Sequence, residues 1–452
     1  FFGGKNGSRI YLGASSGDVS VIETNTNTVI SGCPRTFATN SGPFYSTAKD
    51  TKLYVNAPIS GEVVVYNSAT GAITSTIGLG MNVYSGSIYQ NKLFVPGFAV
   101  STVSVIDTLT DTVADTISAG GGSSYYGAVV GNKYYVANTA DNTVSIINAD
   151  SNAVITTLAM GVNSTPFRIY GNPAGSKAYV LNSGTNNVKV IGVSSDTVLS
   201  TITTNFFPDY GFFVSTDLYV VSSQSFDVAV IDTLTDTLTR VISLGDTPNG
   251  GAVYGSKIFI ANQNDANVNV FDNGDNAVSS TVPAGGAALY PTLVNGKVFV
   301  SNSGDETVTV IDAATNKVTS LLPVGTTPAW STVIGNKIFI NNYSSNSVSI
   351  VDTDDFNFGD LQAPTLNEVA PIAALVADAT PNYTFTSDEG GTIEYGGSCD
   401  SGNTSASAGS NTITFDTLPD GTYEDCTITT IDSFSNRSAS LLLAPFTIDT
   451  SA

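Results

Sequence analysis

The chain contains no histidine. That absence removes imidazole-held haem, copper and zinc, and every relay in which histidine takes a proton from a serine or cysteine nucleophile. Positive charge is scarce too: 16 lysines and arginines face 38 acids, for a formal net charge of −22. Such a surface repels phosphate backbones, so nucleic acid and anionic membranes are expected to be poor partners. No apolar run approaches the ~20 residues that cross a bilayer, so the chain is expected to be soluble or held at a surface by something other than its own helix. Methionine occurs twice, and only seven of the acids are glutamate, which leaves little of the material that helices favour.

What abounds instead is Thr, Ser, Asn, Gly and Val, with 41% hydrophobic residues. This is the composition of strands and turns. At 452 residues the chain exceeds what one ordinary core needs, which implies several domains or a repetitive architecture. Phe1 in place of methionine suggests a processed or a trimmed N-terminus; if a secretory signal precedes it, export agrees with the Ser/Thr-rich composition.

The octapeptide VIDTLTDT at 105–112 returns at 230–237, and its surroundings return far more often. TVSVID from 102 has counterparts in DVSVIE from 18, EVVVYN from 62, TVSIIN from 143, NVKVIG from 187, DVAVID from 227, NVNVFD from 267, TVTVID from 307 and SVSIVD from 347. These nine copies recur about every 40 to 45 residues, the period of a four-stranded propeller blade. Within a unit, a Gly/Pro-rich stretch leads to a short strand such as KIFIAN (257–262), a polar turn, the Val-x-Val strand, a TLTDT-type turn and a last strand. Val103 and Val105 on one face and Ile106 on the other predict middle strands buried on both sides. On this account VIDTLTDT is a strand end and a hairpin, selected wherever a blade has the same neighbours.

YVAN (135–138), YVLN (179–182), FIAN (259–262), FVSN (299–302) and FINN (339–342) resemble the motif of the YVTN family of β-propellers known from microbial surface-layer proteins. The resemblance covers roughly residues 1–356, and the closing Asn is displaced or absent near Tyr11, Tyr54 and Tyr219. It implies a propeller of eight or nine four-stranded modules; nine are counted here, the first short of an innermost strand before Arg9 and the last short of an outer strand after Asp352. A shared closing blade or a second subunit would complete them.

The rhythm stops at a linker, and residues 357–452 alternate short strands with Gly, Asp and Ser turns, as an Ig-like β-sandwich does. TPNYTFTSDEGGTIEYGGSC and LPDGTYEDCTITTID resemble the bacterial Ig-like domains of large surface adhesins, which implies a stalk or spacer role. Cys399 and Cys426 lie 27 residues apart in this segment and are expected to pair in an oxidising compartment. Cys33 is left over and reads as a small buried hydrophobe.

Candidate chemistry is sparse. Asp107, Asp232, Asp272, Asp312 and Asp352 stand at strand ends before turn residues, where local turn bonding explains them better than calcium or acid–base work. No EF-hand or RTX loop is present, so structural calcium lacks support. Lys52, Lys92, Lys133, Lys177, Lys257, Lys297 and Lys337 open the second strand of seven copies; pairing with carboxylates on a blade edge is expected rather than an anion-binding ring. Only Glu23, Glu62 and Glu306 fall in the propeller, and none forms the carboxylate pair a glycosidase needs. AGGGSSYYG (119–127) lacks the helix and base of a phosphate loop and reads as tight packing near the axis. Sequons at Asn6, Asn163, Asn342, Asn403 and Asn436 permit N-glycosylation.

The chain is therefore expected to be all-β, with a propeller over 1–356 and a linker and Ig-like domain over 357–452. No catalytic, cofactor or metal residue is assigned. The expected function is that of a secreted, non-enzymatic surface-layer, adhesion or filament protein whose partners are its own copies or other cell-surface components. The alternative is a module that binds glycans or small ligands through Tyr125, Tyr126, Phe206, Phe207 and Trp330.

Overall fold

The computed structural model describes residues 3–6, 9–13, 19–23, 28–30, 35–38, 42–69, 72–120, 122, 125–204, 206–275, 277–353, 363–432 and 437–451; side chains before residue 42 and that of Asp352 fall outside the description. Phe1, Phe2, Cys33 and Asn436 therefore lie outside it, as does the side chain of Asn6. Strand dominates, and a single 3-10 turn at Ser183–Thr185 interrupts it among the described residues. No helix there is long and apolar enough to cross a membrane. Two compact units divide the chain, Phe1–Asn357 and Phe358–Ala452.

In the first unit, eight four-stranded antiparallel sheets follow one another. Their innermost strands are Tyr45–Lys49, Ser87–Tyr89, Gly127–Val130, Pro166–Gly171, Tyr210–Val214, Pro248–Tyr254, Ala288–Val294 and Pro328–Ile334. Each touches the next, and the eighth touches the first. The result is a multi-bladed β-propeller. The eighth sheet is completed by Arg35–Ala38, which pairs with Ser347–Asp352 in the register Ser347↔Ala38 and Val348↔Phe37. A strand from the start of the chain thus supplies the outer edge of the last repeat, which is the shared closing blade, one of the two expected ways of completing it. The first copy does not lack an innermost strand. Gly3–Asn6, Arg9–Gly13, Val19–Glu23 and Thr28–Ile30 form a ninth four-stranded sheet outside the closed cycle.

The Val-x-Val strands are covered on both faces. Val103, Ser104, Val105 and Ile106 are all buried, and the same four positions are buried in Thr143–Asn148, Asp227–Asp232 and Thr307–Asp312. Their side chains fill the space between neighbouring sheets: Phe94, Val103, Val105 and Ile117 of the second meet Tyr134, Val136 and Ile147 of the third. Each such side chain contributes about 1.5–3 kcal/mol by leaving water.

The closing Asn of each YVTN-like string is fully buried and spans its own hairpin. Asn302 Nδ2 donates to Thr307 Oγ1 and Thr309 Oγ1, both at 2.9 Å, and Asn262 does the same to Asn267 Oδ1 at 2.7 Å and Asn269 Oδ1 at 2.8 Å. Glycine makes room for this amide: a Cβ on Gly245, Gly285 or Gly325 would lie 2.9, 2.7 or 2.7 Å from the side chain of Asn262, Asn302 or Asn342.

The octapeptide's two halves have distinct tasks. Asp107 Oδ1 accepts the N–H groups of Leu109 at 2.7 Å and Thr110 at 3.2 Å, and Asp232 accepts those of Leu234 at 2.7 Å and Thr235 at 3.3 Å. These bonds set the hairpin. Asp111 and Asp236 then sit at φ 54° and 55°, the left-handed conformation that aspartate tolerates at a turn, and face the preceding sheet. Lys52 Nζ and Tyr54 Oη donate to Asp111 at 2.8 and 2.7 Å; Lys177 Nζ and Tyr179 Oη donate to Asp236 at 2.8 and 2.6 Å. Lys52, Lys92, Lys133, Lys177 and Lys257 each reach the turn of the next sheet and stitch neighbouring blades, whereas Lys297 bonds to Asp312 of its own sheet.

The second unit holds three smaller sheets around Tyr383, Phe385, Ile413, Phe415, Ile428 and Phe446. Cys399 and Cys426 form a disulfide with Cα atoms 5.2 Å apart, and both belong to this core.

Candidate functional site

The innermost strands present one position repeatedly to the centre of the ring. It is the residue opposite the fourth one after the opening of the second strand: Tyr45 opposite Asn56, Arg168 opposite Leu181, Tyr210 opposite Val221. In the third sheet Tyr126 fills it, its carbonyl accepting the Ala137 N–H at 3.2 Å. A bulge at the same level in the seventh and eighth sheets offers Tyr290 and Trp330. Because alternate residues of a strand share a face, Tyr170 follows Arg168 toward the centre.

These side chains enclose a cavity of about 310 Å³ lined by Tyr45, Ser85, Ser87, Tyr126, Arg168, Tyr170, Tyr210 and Trp330, with backbone from Gly86, Gly127 and Ala128. Trp330 anchors one side, its ring centroid 4.4 Å from that of Tyr290, 5.1 Å from Tyr45 and 5.9 Å from Tyr210. On the other side Tyr126 packs against Phe167 at 5.2 Å, continuing into Tyr125, Phe98 and Tyr84.

Arg168 is the charge in this aromatic setting. It is 8% exposed, and its guanidinium carbon stands 3.8 Å from the centroid of Tyr126, 5.3 Å from Tyr210 and 5.6 Å from Trp330. Ring faces attract a cation, yet they offer no hydrogen-bond acceptor in the guanidinium plane. Among the described residues no carboxylate pairs with it, and its buried Nε has no hydrogen-bond partner. The acid that feels its charge is Asp209. Burial pushes that carboxyl up from the usual range, while Ser223 and the Arg168 charge hold it down. Asp209 Oδ2 accepts the Ser223 N–H at 3.2 Å and the Ser223 hydroxyl, whereas Oδ1 is buried without a partner.

Four phenols at the cavity, Tyr45, Tyr170, Tyr210 and Tyr290, are neutral at ordinary pH. Burial pushes Tyr170 and Tyr290 up to about 12 and raises Tyr45 and Tyr210 as well. Tyr170 Oη accepts the Gly211 N–H at 2.9 Å, which leaves its proton free to be given. The cavity thus combines one buried cation, several hydroxyl donors and flat apolar faces, an arrangement suited to holding a small molecule.

Of the aromatics singled out in the sequence, Tyr126 and Trp330 reach this cavity and Tyr125 lies in the belt beside it. Phe206 does not: it is 6% exposed and packs between the fourth and fifth sheets with Tyr179, Val190 and Val220. Its neighbour Phe207 is half-buried. Sequence reasoning misses Arg168; the signal that points to it is a lone charge in the otherwise uncharged strand Pro166–Gly171. Close packing accounts only for Gly127 at the end of the Gly-rich run, where a Cβ would fall 2.1 Å from Tyr134 Oη; Gly120 and Gly122 face open space, so tight packing is not their role.

The other recurring charges lie elsewhere. Lys92 donates to the carbonyls of Ala149 and Asp150 and to Asn152 Oδ1, Lys133 to Val193 O and Asp196, Lys257 to Ala314 O and Asn316, and Lys297 to Asp312. Asp272 accepts the Ser256 hydroxyl at 2.5 Å. Glu306 is exposed in a turn at φ 57°, and Glu62 opens a strand of the first sheet. No group of three or more carboxylates or cysteines suited to a metal converges among the described residues.

Asn163 and Asn403 are exposed, although Asn403 Oδ1 accepts the Thr414 N–H at 3.1 Å. Asn342 is a correction. It is fully buried, and its amide donates to Ser347 Oγ at 3.1 Å and Ser349 Oγ at 2.9 Å, so no glycan can be attached to it in the folded state.

No family model matches the chain, and no curated protein matches it. Solved structures do. A computationally designed protein, Ika8, superposes with a TM-score of 0.60 at 13% identity, over 70% of this chain and 97% of its own. BamB from Moraxella catarrhalis gives 0.59 at 12% identity, over 70% and 98%. The dihydro-heme d1 dehydrogenase NirN, solved in complex with DHE, gives 0.56 at 12% identity, over 72% and 74%. BamB and NirN are propellers, and at such identities the likeness speaks to the fold alone.

Proposed function

We propose that this chain is a secreted, non-enzymatic cell-surface protein with a structural or adhesive role, built as a YVTN-type propeller followed by an Ig-like module. The observation that carries this is the Cys399–Cys426 disulfide inside the core of the second unit, because such bridges persist in oxidising compartments. The recurring Asp and Lys residues support a passive role, since they are used in turns and in stitches between sheets. With a net charge of −22, the proposed partners are other copies of the chain or other surface components rather than nucleic acid, and no cofactor is assigned. Immunogold labelling of cells that express the full protein tests this: label at the cell exterior is expected, and label confined to the cytoplasm overturns it. Light scattering and negative-stain microscopy of purified protein test the filament version, which monomers at high concentration would eliminate.

A second reading is favoured by one observation, the central cavity that places Tyr126 and Trp330 beside Arg168. In it the propeller is a glycan- or small-ligand-binding module, with adhesion as the consequence. A glycan array probed with the purified protein checks it; selective binding lost in Trp330→Ala is expected.

A further inference from the structure

We infer that the central cavity is a carboxylate-binding site for an acidic monosaccharide unit of the hexuronate type, with Arg168 as its charge partner. This rests on the second reading above and gives it a ligand chemistry.

The inference begins with the guanidinium. A cation buried to this degree is costly unless paired, and among the described residues Arg168 has neither an ion pair nor a partner for its Nε. Stacking on Tyr126 at 3.8 Å engages the face of the group. Its N–H donors lie in the plane, in the fork that matches a carboxylate. Asp209 feels the charge but makes no ion pair with it: its Oδ2 is held by Ser223, and its unpartnered Oδ1 makes no bond to the guanidinium. The group is also no part of the stitching that accounts for the repeated lysines.

The rest of the lining selects the body that carries the charge. Trp330 and Tyr210 supply flat apolar faces for the C–H face of a sugar ring. Tyr170 has a proton to give, and Ser85 Oγ and Ser87 Oγ, which donate to Tyr125 O at 2.8 Å and Gly127 O at 3.0 Å, keep lone pairs to accept from ligand hydroxyls. A volume of about 310 Å³ holds one sugar unit rather than an extended chain. The net charge of −22 means that an anion reaches the ring centre against the overall field, so the local cation must decide the preference.

Trp330 is the one tryptophan in the sequence, and it lines the cavity, so intrinsic fluorescence reports occupancy without a label. The full-length protein would be titrated with glucuronate, galacturonate, benzoate and glucose. The expected result is a saturable change with one or both uronates, none with glucose, and affinity at least tenfold weaker in Arg168→Gln, with part of it kept in Arg168→Lys. Equal binding of glucose and glucuronate overturns the role of the charge. Benzoate binding without uronate binding overturns the saccharide identity, and no response to any probe overturns the site.

Because Arg168→Gln can fail to fold, a measurement on the unmodified protein stands beside it. The ratio of iodide to caesium quenching of Trp330 is expected to exceed that of free N-acetyltryptophanamide despite the negative net charge, and a ratio below that of the free amide overturns the proposal. A glycan array positive only for neutral glycans, with signal lost in Trp330→Ala, would sink this inference while leaving the ligand-binding reading in place.

Discussion

At the scale of single residues, the stitch between blades follows a pairing rule. Where lysine is followed two residues later by tyrosine, the facing turn ends in aspartate: Lys52 and Tyr54 with Asp111, Lys133 and Tyr135 with Asp196, Lys177 and Tyr179 with Asp236. Where the second residue is phenylalanine, as in Phe94 and Phe259, the turn ends in Asn152 or Asn316. A carboxylate has lone pairs for an ammonium and a phenol together, and its charge is worth keeping where both donors arrive. In two of the three tyrosine cases both bonds form. Tyr179→Phe and Asp236→Asn are each expected to cost about 1–2 kcal/mol, and the double variant less than the sum; thermal unfolding of all four proteins measures the coupling. A lysine–aspartate pair inside one sheet, Lys297 with Asp312 across neighbouring strands, predicts a pH dependence. Burial raises the Asp312 carboxyl, but the Lys297 ammonium and the turn donors outweigh it and leave it below its ordinary value. A carboxyl depressed on folding adds stability above its unfolded value near 3.9, and that stability is lost as pH falls through the folded value. The melting temperature should therefore drop below about pH 4, less steeply in Asp312→Asn, which keeps the turn acceptor without the charge.

At the scale of the strand and hairpin, the closing Asn and the glycine beside it form one unit. Gly285 is not at a positive φ, so its role is to make room: its Cβ would meet Asn302 Cγ at 2.7 Å. Gly285→Ala must push the amide off Thr307 and Thr309, at an expected cost of about 1–3 kcal/mol, whereas Gly335→Ala, in open space at φ 60°, suffers backbone strain alone; comparing their melting temperatures separates the causes. The Val-x-Val strands and the TLTDT hairpins are legible in the sequence as period and turn chemistry, whereas the glycine–asparagine contact shows only in the fold, although Gly245, Gly285 and Gly325 stand 40 residues apart. Local features repeat because neighbouring sheets repeat. Arg35–Ala38 could not be assigned that way, for its partner is fixed by closure of the ring and lies more than 300 residues away in sequence. Arg168 stayed hidden for a related reason: its importance comes from facing Tyr126, Tyr210 and Trp330, which belong to three other sheets.

At the scale of the whole molecule, the ring depends on a contact between its two ends. Besides Arg35–Ala38 on Ser347–Asp352, the closure has Gly42 N–H donating to Asn346 Oδ1 at 2.6 Å, and Ser46 Oγ and Thr332 Oγ1 sharing a hydrogen bond at 2.7 Å. Taking away residues 1–41 keeps the residues of both these hydrogen bonds but strips the outer strand from the eighth sheet, leaving Ser347–Asp352 as an open edge. An edge of that kind pairs with whatever strand it meets, and a strand on another molecule is available at any concentration where the protein is studied. The shortened chain should therefore melt at lower temperature and associate in a concentration-dependent way, as calorimetry and light scattering would record. The second unit supplies the control within the same molecule. Its 27-residue disulfide loop contributes about 3–4 kcal/mol by the chain-entropy relation, so reductant should lower its transition and leave that of the ring unmoved. If the shortened chain melts and scatters like the full one, closure by the N-terminal strand is not what holds the ring.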